Sequence, residues 1–100
     1  MPNNWYNKGM NAIFEWDEQK RRGNIEKHGL DFITAAEIFD GRPTVTDQST
    51  SLEEERFLTV GNLNDRFITV VWTWRCDVIR LISARRARDQ EIRQYHAHLD

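Results

Sequence analysis

The stretch from Phe67 to Arg85, FITVVWTWRCDVIRLISAR, sets the tightest limits on the fold: two strand-like runs, joined by a tight connection, close on an arginine cluster. Phe67, Thr69, Val71 and Thr73 alternate with Ile68, Val70, Trp72 and Trp74. Both faces are largely apolar or β-branched, the pattern of a central strand. Val78 to Ala84 repeats the pattern with one exception, Arg80, which shares a face with Val78 and Ile82. An arginine on a buried-type strand must be paired or must border an opening in the packing. An opening lined by arginine suits an anionic ligand.

The neighbouring segments supply the rest of an α+β fold. Arg56 to Gly61 alternates as a strand, Asn62 to Asp65 has hairpin-loop chemistry, and Arg75-Cys76-Asp77 forms a second tight turn, which together predict a three-stranded antiparallel meander. Phe14 to Asp17 and Thr44 to Asp47 fit short edge strands, and Gln48 to Glu55 reads as a surface loop. Asp17 can N-cap a helix over Glu18 to His28, with Gly29 placed for a left-handed C-terminal cap. Asp31 opens a second helix whose stripe Phe32, Ala35, Ala36, Phe39 is core packing and which stops near Gly41 and Pro43. A C-terminal helix is expected over roughly Asp89 to His98, with Arg88, Glu91, Ile92 and Tyr95 sharing a side. Residues 1–12 show neither periodicity and read as a flexible extension before a single domain over 13–100.

One hundred residues suit one hydrophobic core. No apolar run approaches the ~20 residues that span a bilayer, and the N-terminus lacks a signal-peptide core, so a cytoplasmic location without membrane contact is expected. The single Cys76 fits a reducing compartment. No phosphate-binding glycine loop, zinc spacing or Ser-His-Asp constellation is present, and His96-x-His98 has strand spacing on a predicted helix. Neither metal nor cofactor is expected. Charge is divided along the chain: residues 31–55 carry one Lys/Arg against seven Asp/Glu, whereas residues 56–100 carry eight arginines against five acids. An acidic middle could face a basic partner and the arginine-rich half phosphate, or the charges could simply be solvated.

On the first helix, Lys20, Gly23, Asn24 and Lys27 fall within one arc at 100° per residue, with His28 at its flank. A glycine between basic groups lets another backbone approach; a solvated face is the plainer reading. His28 in the last turn also has a structural reason, since a partly charged imidazole there is favoured by the helix dipole.

Taken together, Phe14-Glu15-Trp16-Asp17, Lys20, Asn24, Lys27-His28-Gly29, Phe32, Phe39, Glu54-Glu55-Arg56, Gly61, Val70-Val71 and Arg80-x-Ile82-Ser83-Ala84-Arg85 with Glu91 and Tyr95 resemble the BrnT toxin family, over about residues 14–95. The resemblance implies a compact RelE-like fold and a ribonuclease toxin of a type II toxin–antitoxin pair that halts translation. It also implies a BrnA-type ribbon-helix-helix antitoxin, through which alone the complex contacts DNA. Three departures stand out. Cys76 occupies a turn where the family has glycine, Arg88 stands where threonine is the usual N-cap, so that Asp89 could take over and shift the helix start, and residues 1–12 have no counterpart.

Metal-free RNA cleavage needs a proton acceptor for the 2′-hydroxyl, cations for the phosphorane and a donor for the leaving 5′-oxygen. Arg80 and Arg85 can clamp phosphate, Tyr95 or His28 can donate a proton, and His28, Glu91 or Glu15 can accept one. Lys20, Asn24, Lys27 and Arg56 are candidates for holding the RNA strand, and Trp72 for stacking on a base. Arg80 and Arg85 are an odd number of residues apart, so they converge only if the strand ends or bulges between them. A noncatalytic module that only binds an antitoxin or a DNA-binding partner is the alternative. It predicts no RNA cleavage.

Overall fold

Alternation and caps place the elements of the computed structural model, which describes residues 4–8, 12–50 and 55–99. In chain order these are β1 (Asn4–Lys8), β2 (Ala12–Trp16), α1 (Glu18–His28), α2 (Phe32–Ala35) continuing into a 3₁₀ turn (Ala36–Phe39), β3 (Thr44–Thr50), β4 (Glu55–Leu63), β5 (Arg66–Arg75), β6 (Val78–Arg86) and α3 (Asp89–Leu99). Among the described residues the strands form one six-stranded mixed sheet in the order β1-β2-β6-β5-β4-β3. Every neighbouring pair is antiparallel except β2 and β6.

The expected meander is therefore four strands long, because β3 continues past Asp47 to Thr50 where a loop was expected. Residues 51–54, including Glu53 and Glu54, lie outside the described residues, and Glu55 already belongs to β4. β2 is not an edge strand: it sits between β1 and β6, pairing with β6 only at Phe14↔Ile79 and Glu15↔Arg80. In the N-terminal stretch, the backbone of Asn4–Lys8 pairs with β2, although no periodicity in those residues announces a strand; residues 1–3 and 9–11 lie outside the described residues.

Local chemistry accounts for the helix boundaries. Asp17 accepts hydrogen bonds from the backbone N–H groups of Gln19 and Lys20, at 2.8 and 3.4 Å, and Gly29 at φ 68° closes α1. Asp31 caps α2 by accepting from Ile33 N at 3.0 Å. The second helix tightens to 3₁₀ geometry after Ala35, and its period shortens toward three residues per turn. Ile38 is thereby buried alongside Phe32, Ala35 and Ala36, a core position the 3.6-residue stripe does not pick out.

One face of the sheet, carrying Phe14, Ile79, Leu81, Ala84, Val70 and Trp72, packs on α2 and the 3₁₀ turn to form the core. Gly61 fits closely here: a Cβ would come within 3.1 Å of the Ile38 side chain, so a larger residue would make the 3₁₀ turn give by a few tenths of an ångström. α3 covers part of the opposite face, where Phe67 meets Tyr95 edge-on at 4.9 Å. No described helix is long and apolar enough to cross a membrane.

Candidate active site

The face that α3 covers only in part carries the arginines, and a single irregularity in β6 brings them there. The register to β5 runs Thr73↔Arg80 and Trp72↔Leu81, then jumps to Val71↔Ser83 and continues to Thr69↔Arg85. Ile82 is the extra residue of a β-bulge. Because β5 alternates regularly, Thr69, Val71 and Thr73 share one face, and their partners Arg85, Ser83 and Arg80 share it with them. The bulge is the condition under which Arg80 and Arg85 converge.

Across the sheet, Glu15 of β2 lies beside Arg80, Leu58 beside Val71, and Val60 beside Thr69. Arg56, two residues before Leu58, and Arg75, two after Thr73, take the same face by alternation. The open end of the face thus gathers Arg56, Arg75, Arg80 and Ser83, with Arg85 where α3 begins to cover it. Neither Arg75 nor Ser83 stands out in the sequence alone. Arg75 lies in the expected turn, and Ser83 reaches this face only because Ile82 bulges.

Each of the two central arginines is held by a carboxylate from another element. Arg80 Nη1 donates to Glu15 Oε2 at 2.5 Å, with the Glu15 side chain only 3 % exposed and Arg75 Nη1 3.9 Å from the same oxygen. This is the pairing that a buried-type arginine requires. Arg85 donates from Nη1 and Nη2 to the two oxygens of Glu91, both at 2.9 Å. Glu91 also accepts from Thr69 Oγ1 at 2.9 Å and from the backbone N–H of Arg88 at 2.8 Å. The last bond is one half of a capping box, and Ile92 N donates to Arg88 O at 3.0 Å, so Arg88 itself occupies the N-cap of α3 and Asp89 is the first helical residue. The Arg85 guanidinium, then burial opposing it, then the Arg88 N–H and Thr69 hydroxyl, leave the Glu91 carboxyl held down at about 2. A carboxylate so weakly basic is a poor proton acceptor near neutral pH.

Asn24 is not open to RNA. It is buried, its Nδ2 donates to Ala84 O and Leu30 O, both at 2.8 Å, and its Oδ1 accepts from Ala84 N at 3.1 Å. Both amide N–H groups are spent on backbone. β2 leaves β6 after Arg80, and Asn24 takes the place of a missing strand at Ala84. The same bonds pin α1 beside the residue that precedes Arg85. At 100° per residue, Lys20 and Lys27 lie on one flank of Asn24, while Arg21 and His28 lie on the other. Arg21 bridges to Asp31 at the start of α2, which turns Lys20 and Lys27 away from the core helices. Both lysines are exposed.

Two other candidates lie elsewhere. Trp72 is 6 % exposed, donates from Nε1 to Thr59 Oγ1 at 2.8 Å and stacks on Phe57 at 4.7 Å, so it belongs to the core and offers no face to a base. The exposed tryptophan is its neighbour Trp74, 53 % exposed and edge-on to Trp72 at 5.1 Å. Tyr95 sits over Phe67, and its hydroxyl donates to Pro43 O at 3.4 Å. Phe67 is six residues from Thr73, the partner of Arg80, or about 20 Å along β5. The fold does not bring Tyr95 to Arg80.

Cys76 has φ 57°, and Asp77 after it does not share the positive φ, so the β5–β6 turn has the left-handed first position that normally selects glycine. In the β4–β5 hairpin the turn residues are Asn64 and Asp65, both at positive φ, and Asn62 and Leu63 belong to β4. Among the described residues, no three His, Cys, Asp or Glu side chains are grouped as a metal site would need.

The sequence profile of the family described as the ribonuclease toxin BrnT of type II toxin–antitoxin systems matches residues 16–91. No curated protein matches the chain.

Proposed function

Because this chain belongs to the BrnT family of ribonuclease toxins of type II toxin–antitoxin systems, we propose that its arginine-lined face binds RNA and cleaves it without a metal, by attack of the 2′-hydroxyl on the adjacent phosphorus. The 2′-oxygen–phosphorus bond forms, the bond to the 5′-oxygen breaks, and the products are a 2′,3′-cyclic phosphate and a 5′-hydroxyl. The observation that carries this reading is the bulge at Ile82, which puts Arg80 and Arg85 on one face beside Arg56, Arg75 and Ser83.

In this scheme Arg80 and Arg85 donate N–H bonds to the non-bridging oxygens and stabilise the charge that builds on phosphorus. Glu15 and Glu91 are positioning residues: Glu15 anchors the Arg80 guanidinium through one N–H, and Glu91 fixes the plane of the Arg85 guanidinium through two before substrate arrives. Lys20 and Lys27, on the flank of α1 turned away from the core, and Arg56 hold the strand by its phosphates. Proton transfer is assigned to His28 on the chemistry of its imidazole; it shares the Arg21 flank of α1 and sits in the last turn of that helix. Tyr95 packs α3 onto Phe67. The toxin acts in the cytoplasm on RNA, inhibits translation, adopts a RelE-like arrangement and is neutralised by a BrnA-type antitoxin.

The test is cleavage of purified RNA in chelator by the wild type and by Arg80→Lys, which keeps a cation beside Glu15 but loses the planar fork. Cleavage by the wild type, with at least a tenfold loss in a folded Arg80→Lys, is expected. No cleavage by the wild type with or without translating ribosomes would overturn the proposal and favour a binding role.

A further inference from the structure

β3 is an outer strand: all seven residues pair with β4, and among the described residues no strand pairs with its other side. Natural sheets blunt such edges with lysine, proline, a bulge or a covering element. Thr44–Thr50 reads TVTDQST, with neither lysine nor proline, and its register to β4 is unbroken. Beside it, on the arginine-bearing face, a groove of about 270 Å³ opens between the sheet and α3; Val45, Asp47, Leu58 and Val60 line its sheet side and Arg88 and Gln94 its helix side. An unprotected edge next to a pocket with an apolar floor is the arrangement that an added strand uses, with backbone bonds for affinity and alternate side chains for specificity.

We infer that the antitoxin docks here by adding an extended segment to β3, whose groove-facing side chains are apolar beside Val45 and basic beside Asp47. The apolar ones enter the groove over Val45, Leu58 and Val60. The basic ones answer Asp47, the charged residue of a strand that holds no lysine or arginine. The same charge argues against the other occupants. A second copy of the chain pairing in antiparallel fashion along the whole of β3 would set Asp47 against itself, and RNA would meet acid. The groove opens on the face that carries Arg80 and Arg85, and a strand added to β3 stands four strand spacings, about 19 Å, from β6, so the segment anchors the antitoxin beside the arginines rather than over them. The inference rests on the family's having a protein antitoxin and on no catalytic role given above.

The experiment is hydrogen exchange of the full-length toxin, free and in complex with its co-purified full-length antitoxin, together with affinity measurements on Asp47→Lys. Exchange over Thr44–Thr50 should slow at least tenfold in the complex, and Asp47→Lys should weaken binding about tenfold at low salt and less at high salt. RNA cleavage by Asp47→Lys should equal that of the wild type. Unchanged exchange over Thr44–Thr50, with protection appearing elsewhere, would overturn the inference. So would wild-type affinity in Asp47→Lys, and so would protection of β3 in the concentrated toxin alone, which would assign the edge to a second copy. Neither readout uses RNA, so a failure of the cleavage proposal would leave both intact.

Discussion

Arg85 and Glu91 face each other as two planar forks, Nη1 to Oε1 and Nη2 to Oε2, each at 2.9 Å. The pair joins β6 to the first turn of α3, and it lowers the Glu91 carboxyl from an ordinary 4.5 to about 2. A carboxylate more acidic when folded stabilises the protein above its unfolded value and loses that contribution as pH falls through the folded one. The window is therefore from about 4.5 down to about 2. With both side chains 16 % exposed, the contribution at neutral pH is on the order of 2–3 kcal/mol. Glu91→Gln should be less stable at pH 7 by up to that amount and should lose less stability than the wild type on acidification across the window. Denaturant titrations at a series of pH values check this. Parallel curves for the two proteins would remove Glu91 as the source.

Asn24 makes a second prediction, about the edge of β6. Replacing it with alanine leaves the N–H and C=O of Ala84 without their partners in a buried place. A loss of roughly 2–4 kcal/mol is expected, since each orphaned group costs about 1–3 kcal/mol. Asn24→Asp should do no better, because a carboxylate has no N–H for the carbonyls of Ala84 and Leu30. Urea denaturation gives the stability, and exchange at the Ala84 amide gives the local effect. A slow Ala84 amide in Asn24→Ala would mean that another group had taken over.

Much of this was legible in the sequence because alternation and capping are local. The caps at Asp17, Gly29 and Asp31 fall at the expected residues, and β5 is framed by its own pattern. The pairing of Arg80 follows from its charge on a greasy strand, although its partner, Glu15, is 65 residues away. What could not be read depends on pairing between distant strands. The bulge at Ile82 is a mismatch of register with β5 and has no signature in β6 alone. Polar β1 and the far half of β3 are strands because neighbours pair with them, and their side chains do not announce it. Asn24 looks like one more polar residue on a basic arc until Ala84 is placed opposite it.

Cys76 carries a positive φ of 57° at the first position of the β5–β6 turn. A residue with a Cβ is strained there by roughly 1–2 kcal/mol, and glycine gives back part of that gain as unfolded-state entropy, about 0.5–1 kcal/mol. Cys76→Gly should therefore raise stability by about 0.5–1 kcal/mol, without touching Arg80, four residues on. Thermal unfolding under reducing conditions measures it. A lower midpoint would show that the cysteine side chain contributes more than its backbone strain costs.

The last prediction separates stability from catalysis at Arg80. Glu15 is almost wholly buried and Arg80 is its close partner, with Arg75 Nη1 only at 3.9 Å, so Arg80→Ala weakens the pairing of a carboxylate in the sheet and should cost up to about 3–5 kcal/mol. A loss of RNA cleavage in that variant alone would be ambiguous, since part of the protein could be unfolded. Glu15→Gln together with Arg80→Met removes both charges, and its stability should lie within about 1–2 kcal/mol of the wild type. If Arg80 stabilises the phosphorane, the double variant folds and does not cleave. Glu15→Gln alone keeps the guanidinium but loosens it, and it should lower kcat more than it raises KM, because an arginine out of position fails mainly in the transition state. Stability curves and cleavage kinetics on the wild type and these three variants complete the set. A double variant that folds and still cleaves RNA at the wild-type rate would move the chemistry away from Arg80 and toward Arg85.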